Sequence, residues 1–371
     1  MNNQKKILML FIEPTPYLLN LINILEKKCP YHIDVVFIKS NFTQQWRLQS
    51  KHCVLDKQSR QFSYLFRQFF FKKKYDLIFL AGWSQPTTLF FMFCAKLHRI
   101  PIVVDSDTNF VPHTSYYKRI IKRIIYPLLF KLPNHFLPGG TRQSKYLEHY
   151  SVPKHKITIE KMTVDIVGQQ QYYHQLPSHF RTMKRSKLGL TNKDFVFLFI
   201  GRLIERKGVL DLIDAFSEIK HVNAKCIIAG DGPLQSTVEA AAKNNPNIIY
   251  AGWMENQALL DLYYLSDVFV LPAHWEPWGL VINEALAAGK PVIVSDQVGC
   301  IDDLVIPSET GKIFPALDAH ALTQCMTDFL INPKQCESYS KNAHALISQW
   351  TLQDQAKQMC EVWQRLIQSA T

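Results

Sequence analysis

Short runs of almost uninterrupted apolar residues, separated by longer stretches of helical spacing, recur along the whole chain. In the first half they are Ile7–Phe11, Val35–Ile38, Leu77–Leu80 and Ile102–Val104; in the second they are Phe195–Ile200, Cys226–Ala229, Val268–Leu271 and Pro291–Ser295. A strand apolar at nearly every position has both faces covered, which a parallel sheet achieves with helices packed above and below it. Helical patterns at Tyr17–Glu26, Thr87–Leu97, Val209–Lys220, Leu234–Asn244, Ala258–Ser266, Gly279–Ala288 and Ala319–Ile331 lie between the runs. The alternation predicts an α/β protein. Its 371 residues exceed one ordinary core, so two doubly wound domains in tandem are expected. The polar, Gln-rich segment around Gly168–Lys187 reads as their linker. The last pattern, Gln353–Gln368, carries Ala356, Met359, Cys360, Val362, Trp363, Leu366 and Ile367, an apolar face that has to dock somewhere.

None of the eight cysteines falls in a CxxC or CxxH pair, which argues against a zinc ribbon or a disulfide framework and predicts a reducing, cytoplasmic setting. Glu13, Pro14 and Pro16 interrupt the N-terminal apolar run where a signal-peptide core would continue, so it reads as a first strand. No stretch approaches the ~18 consecutive apolar residues of a membrane-spanning helix. The net charge of +11 is uneven. Residues 1–165 hold 25 Lys and Arg against 10 Asp and Glu, a net of +15, whereas residues 166–371 have a net of −4. An excess confined to one half points to an anionic partner for that half. Without zinc-finger spacing or an RNP-like motif, nucleic acid is not expected to be that partner.

Three segments of the second half carry chemistry. The run Phe195–Ile200 leads into Gly201-Arg202-Leu203-Ile204-Glu205-Arg206-Lys207-Gly208, where Arg202 and Lys207 between glycines could hold a diphosphate by charge-assisted hydrogen bonds. Cys226–Ala229 leads into Gly230-Asp231-Gly232-Pro233, which reads mainly as a tight structural turn. Val268–Leu271 leads through Glu276 into a helix opening near Gly279 and carrying Glu284. Free N–H groups at Gly279, Leu280 and Val281 would form an anion site, with Glu276 and Glu284 on its two flanks to accept hydrogen bonds from sugar hydroxyls.

Gly201-Arg202 with Lys207-Gly208, Ala229-Gly-Asp-Gly-Pro233, Glu276-x7-Glu284, Glu284-Ala-Leu-Ala-Ala-Gly289-Lys-Pro-Val and Gly311 resemble, in order and spacing, the retaining GT-B glycosyltransferases of family 4, also called glycosyl transferases group 1. The resemblance is specific over roughly 195–314. It implies two Rossmann-like doubly wound domains facing a central cleft: residues 1–168 binding acceptor, with helix 352–371 crossing back to pack on them, and residues 169–351 binding a nucleotide-sugar. It further implies that Arg202 and Lys207 bind the donor diphosphate, Glu276 the sugar hydroxyls and Glu284 the ribose. Gly201, Gly230, Gly279, Leu280 and Val281 would offer close backbone approach or amides, and Trp253 would lie beside the base. The implied activity is a retaining hexosyltransferase in polysaccharide or lipopolysaccharide biosynthesis, with no cofactor and no metal. A nucleotide-sugar epimerase of the same fold, or an inert relative that binds glycan or lipid, stays open as an alternative.

The chain departs from the family where many members carry a histidine after the fourth strand of the N-terminal domain. Asp105-Ser106-Asp107 stands there, with His113 beyond it, and Asp107 is the expected substitute. Asp-Ser-Asp also matches the metal-binding DxD of the other large glycosyltransferase fold and nearly matches a phosphatase aspartate loop, which wants Thr where this chain has Asn109. The excess charge is clustered. Helical spacing places Lys118, Arg119, Lys122 and Arg123 on one face and Ile120, Ile121, Ile124 and Ile125 on the other, and Phe62–Lys74 ends in Lys72, Lys73 and Lys74. Both patterns suit peripheral attachment to the cytoplasmic face of an anionic membrane. The other reading of the helix puts its isoleucines in the core and its cations in water.

Overall fold

The computed structural model describes residues 4–40, 52–55, 75–112 and 114–370. Lys72, Lys73, Lys74 and His113 lie outside them. The chain divides into two compact units, Met1–Met162 with Leu352–Thr371, and Thr163–Thr351.

The first unit is built on a parallel sheet of order β3-β2-β1-β4-β5-β6. Its strands are β1 (Lys6–Phe11), β2 (His32–Phe37), β3 (Cys53–Val54), β4 (Leu77–Ala81), β5 (Ile102–Ser106) and β6 (His135–Pro138), with helices α1 (Pro16–Lys28), α2 (Pro86–Leu97), α3 (Tyr116–Leu129) and α4 (Thr141–His149). Successive strand residues point to opposite faces, so β1 feeds two cores. Leu8 and Leu10 pack with Phe91 and Met92 of α2, while Ile7 and Met9 pack with Leu21, Ile22 and Leu25 of α1. Two strands of this unit had no separate signal in the sequence: β3, two residues long, and β6, which ends in a proline.

The second unit repeats the plan. Its strands are β7 (Phe195–Ile200), β8 (Ala224–Ala229), β9 (Ile248–Gly252), β10 (Val268–Leu271), β11 (Val292–Ser295) and β12 (Gly311–Phe314), in the order β12-β11-β10-β7-β8-β9. Here β9 and β12 had no separate signal in the sequence either. Its helices are α5 (Ile166–Gln175), α6 (Phe180–Lys187), α7 (Val209–Ser217), α8 (Gln235–Asn244), α9 (Asn256–Leu265), α10 (Leu280–Ala287), α11 (Ala319–Ile331) and α12 (Gln335–Ile347). In both units the sequence reverses direction across the sheet beside the first strand, between β1 and β4 and between β7 and β10. Loops leaving the carboxyl ends of two such strands diverge, and the crevice they leave is where open α/β sheets bind ligands.

The segment Gly168–Lys187 is not a linker. It forms most of α5 and α6, and the first unit ends at Met162 rather than at 168. Asp165 caps α5, its carboxylate accepting the Gly168 amide at 3.0 Å. Arg185 of α6 is only 1% exposed; its guanidinium pairs with Asp267 at 2.8 Å and donates to the carbonyls of Leu265 and Asp194. Composition marked this segment as solvated, whereas Arg185 is enclosed and paired inside the unit.

Helix α13 (Leu352–Ala370) closes the chain by packing on the first unit. Leu352, Ala356, Met359, Val362, Trp363 and Ile367 join the α1 side of that core, and the Trp363 ring meets Phe79 edge-on at 5.9 Å. Cys360 is bonded to Cys29 at the end of α1, with Cα atoms 6.2 Å apart, which corrects the expectation of cysteines without a disulfide. Among the described residues no helix is long and apolar enough to cross a membrane. Because Trp363 is fully enclosed, Trp363→Ala is expected to cost about 3–5 kcal/mol, read as a lower urea midpoint for the first unit.

Candidate active site

The loops after β7 and β10 leave the sheet on either side of the crevice and are tied to each other. The Arg206 carbonyl accepts the His274 amide at 2.9 Å. Gly208, at φ +69°, turns the chain into α7 so close to the loop after β10 that a Cβ there would run into the Pro272 carbonyl. Asp211 of α7 adds a side-chain tie, its Oδ2 lying 2.6 Å from His274 Nε2. The β10 loop is fixed from its far side by the Glu276 amide, which donates to Gln297, and by the Gly299 amide, which donates back to Glu276.

Held this way, Glu276 meets Lys207 across the crevice, with Oε2 2.7 Å from Nζ and both side chains only 12–13% exposed. Arg206, which the sequence reading passed over, donates to the same oxygen at 3.0 Å and to the Trp275 carbonyl. Its guanidinium lies over the Trp275 ring. Arg202 is half-buried on the same loop as Lys207, and its side chain makes no hydrogen bond or ion pair among the described residues.

Helix α10 opens at Gly279, whose φ of +102° is in the left-handed region and which supplies no capping side chain. A Cβ at Gly279 would lie 3.7 Å from Glu276 Cγ, so the carboxylate stem stands beside the helix mouth that Leu280 and Val281 begin. Glu284 lies farther along α10 and accepts a hydrogen bond from the Tyr263 hydroxyl of α9 at 2.8 Å. Burial raises its carboxyl from 4.5 to about 7, with the Tyr263 bond acting the other way.

The remaining expected residues follow along the same sheet edge. Gly230, after β8, sits on the Gly201 carbonyl with no room for a Cβ, and its amide donates to Gly252 at the end of β9. Trp253 follows, 43% exposed, its indole N–H on Glu255. From Glu276 beside β10 to Trp253 beside β9 the groups thus cover three strand spacings, roughly 14 Å.

In the first unit, Asp107 is exposed just beyond β5, while Asp105 turns inward. Asp105 sits beside the buried Glu160, and the pair carries raised pKa values. Burial followed by the Asp107 charge lifts Asp105 to about 7; burial followed by the Asp105 charge lifts Glu160 well above the ordinary range. The cations of α3 share one helical face but differ in exposure. Lys118, Arg119 and Arg123 are exposed, whereas Lys122 is half-buried over the Tyr126 ring at 5.7 Å.

Residues 180–346 match the model of the family described as glycosyl transferases group 1. Over that stretch, less than half of the chain, the sequence is similar to group 1 glycosyltransferases. The chain is 30% identical over 169 residues to an uncharacterized glycosyltransferase of Methanocaldococcus jannaschii, covering 42% of this chain and 43% of that protein. It is 27% identical over 266 residues to alpha-monoglucosyldiacylglycerol synthase of Acholeplasma laidlawii, covering 67% of this chain and 65% of that protein. The match therefore spans less than two thirds of either relative. HepE of Anabaena, solved in complex with UDP and glucose, superposes with a TM-score of 0.76 at 18% identity, over 98% of this chain and 100% of that one. The likeness identifies the fold as GT-B.

The geometry of the crevice separates two variants of its ion pair. In Lys207→Ala the Glu276 carboxylate keeps Arg206, but in Glu276→Ala the enclosed Lys207 loses its partner. Glu276→Ala should therefore cost more stability, approaching the ~3–5 kcal/mol of a buried charge left alone, in denaturant titrations of the two variants. The raised Glu284 pKa means stability present at low pH is lost as pH rises from about 4.5 through about 7. Glu284→Gln should gain in thermal midpoint relative to the parent across that window. The comparison cancels the opposite contribution of His135 and His344, whose lowered pKa values favour folding as pH rises.

Proposed function

We propose that this chain is a retaining, metal-independent glycosyltransferase of hexosyltransferase type that moves a sugar from a nucleotide-sugar donor to a lipid-linked or cell-surface glycan. The observation that carries the reading is the Lys207–Glu276 pair at the β7/β10 crevice, beside the open mouth of α10 and on the same loop as Arg202. Arg202 and Lys207 hold the diphosphate, and Glu276 accepts hydrogen bonds from the sugar hydroxyls. The amides of Gly279, Leu280 and Val281 face anionic oxygens, Glu284 takes the ribose hydroxyls, and Trp253 with Gly230 borders the base.

As the glycosidic bond to the diphosphate breaks, negative charge grows on the leaving oxygen. Fixed cations and helix-end amides stabilise charge of that kind without reorganising. Glu276 is occupied by two cations, which leaves it acting as an orienting acceptor rather than a nucleophile. The reading therefore takes attack on the same face from which the diphosphate departs, the leaving phosphate receiving the acceptor proton. Asp107 is the candidate for orienting the acceptor hydroxyl, since Asp105 is committed to Glu160.

The +15 charge of residues 1–165 and the relative named alpha-monoglucosyldiacylglycerol synthase support an acceptor on an anionic, cytoplasmic membrane face. A thermal-shift panel of nucleoside diphosphates and their sugars tests the donor site. The matching nucleotide at about 100 times its Kd should stabilise the protein by about 2.7 kcal/mol. Lys207→Ala should abolish the shift and lower turnover about 10²–10³-fold, while EDTA should leave turnover unchanged. No stabilisation by any nucleotide, or loss of turnover with chelator, contradicts the proposal.

A further inference from the structure

Helix α3 is amphipathic, yet it is mounted with its apolar side away from the sheet. Ile121, Ile124, Ile125 and Leu128 are 50–63% exposed, and none of the fourteen described residues of α3 is buried. The side that meets the protein is formed by Lys122, Tyr126 and Leu129. Tyr126 and Leu129 pack on the core that holds Trp83 and Phe130. Helix α2 packs on the same core through Phe91, Met92 and Ala95, and it too turns apolar groups outward, with Phe93 at 53% and Leu97 at 77% exposure.

The charged residues of α2, α3 and the turns directly after them are all Lys or Arg. Lys118, Arg119 and Arg123 are exposed on α3; Lys96 and Arg99 stand at the end of α2, and Lys131 follows α3. No Asp or Glu occurs between Asp76 and Asp105 or between Asp107 and Glu148. Exposed apolar groups in a patch rimmed by polar residues mark an interaction surface. A basic rim without acidic residues complements a negatively charged surface and opposes a second copy of itself. An amphipathic helix of this composition lies in the plane of a membrane interface, its apolar side at the acyl boundary and its cations at the headgroups.

We propose that the α2–α3 face of the first unit docks on an anionic lipid bilayer, with Phe93, Leu97, Ile121, Ile124 and Leu128 entering the acyl boundary. The docking deepens the reading above by locating the membrane contact, and rests on that reading only for the claim that the acceptor is there.

Flotation of the full chain tests it with vesicles of phosphatidylglycerol and phosphatidylcholine against vesicles of phosphatidylcholine alone. The parent should float with the anionic vesicles. The combined Ile121→Ser, Ile124→Ser and Leu128→Ser variant should bind about tenfold more weakly while keeping its nucleotide-induced thermal shift, which separates a failed surface from a failed donor site. Ile124→Trp supplies a signal that does not depend on loss: its added emission should be quenched by brominated lipid. Three outcomes overturn the proposal: a parent that does not float, a triple-serine variant that floats like the parent, or added emission in the Ile124→Trp variant that is indifferent to brominated lipid. A parent dimer in sedimentation that the serine substitutions dissolve would assign the face to a second copy instead.

Discussion

The ion pair between Lys207 and Glu276 is nearly withdrawn from water, and each charge depends on the other being held in place. Neither residue sits on a regular strand. Both are on loops, and loops hold a position to a few tenths of an ångström only when something else fixes them. Here the fixing comes from the sheet order. Placing β10 beside β7 sends two loops out from adjacent strand ends, and the bond from the His274 amide to Arg206, the contact of Gly208 with Pro272 and the Asp211–His274 tie stop them from separating. Glu276 is thereby a carboxylate already oriented by two cations, so its reorganisation cost has been met in folding.

The parts of this arrangement that were legible in the sequence are those set by local pattern. Continuous apolar runs marked the inner strands because burial on both faces forbids polar residues there. Glycines at 208 and 279 and the carboxylates at 276 and 284 had their spacing fixed by a loop and a helix only a few residues long. Arg206 was visible as a cation but not as a partner of Glu276, since a basic residue beside Lys207 gives no hint of which way it turns. Tyr263, which binds Glu284, lies on another helix, and no periodicity links the two. Cys29 and Cys360 stand 331 residues apart and meet only because α13 returns to the first unit. The Gln-rich stretch misled for a related reason: composition counts polar groups but does not register that Arg185 is matched by Asp267.

Enclosed charge is handled in two ways. In the second unit Lys207 pairs with Glu276 and Arg185 with Asp267, while Glu284 has a hydroxyl partner and a raised pKa. The first unit encloses carboxyls together instead, and Asp105 and Glu160 accommodate each other by holding protons at pH values where free carboxylates have lost them. With Asp105 engaged inside the unit, Asp107 is the member of the Asp105-Ser106-Asp107 segment that meets solvent at the strand end. The distinction between the two aspartates is one of burial, which a spacing motif does not encode.

Helix α3 marks the limit of pattern reading more sharply. The period of Ile120, Ile121, Ile124, Ile125 and Leu128 establishes that the helix has an apolar side, and the same period is produced whether that side faces the core or the outside. What decides is the supply of partners. The core on this side of the sheet is already filled by Trp83, Phe91, Phe130, Phe136, Tyr146 and Tyr150, and α3 needs to contribute only Tyr126 and Leu129 to close it. With the core complete, five branched aliphatic side chains remain beyond what the fold needs. An apolar stripe retained outside a finished core lowers solubility unless another apolar phase receives it, and the cations around α3 restrict that phase to a negatively charged one.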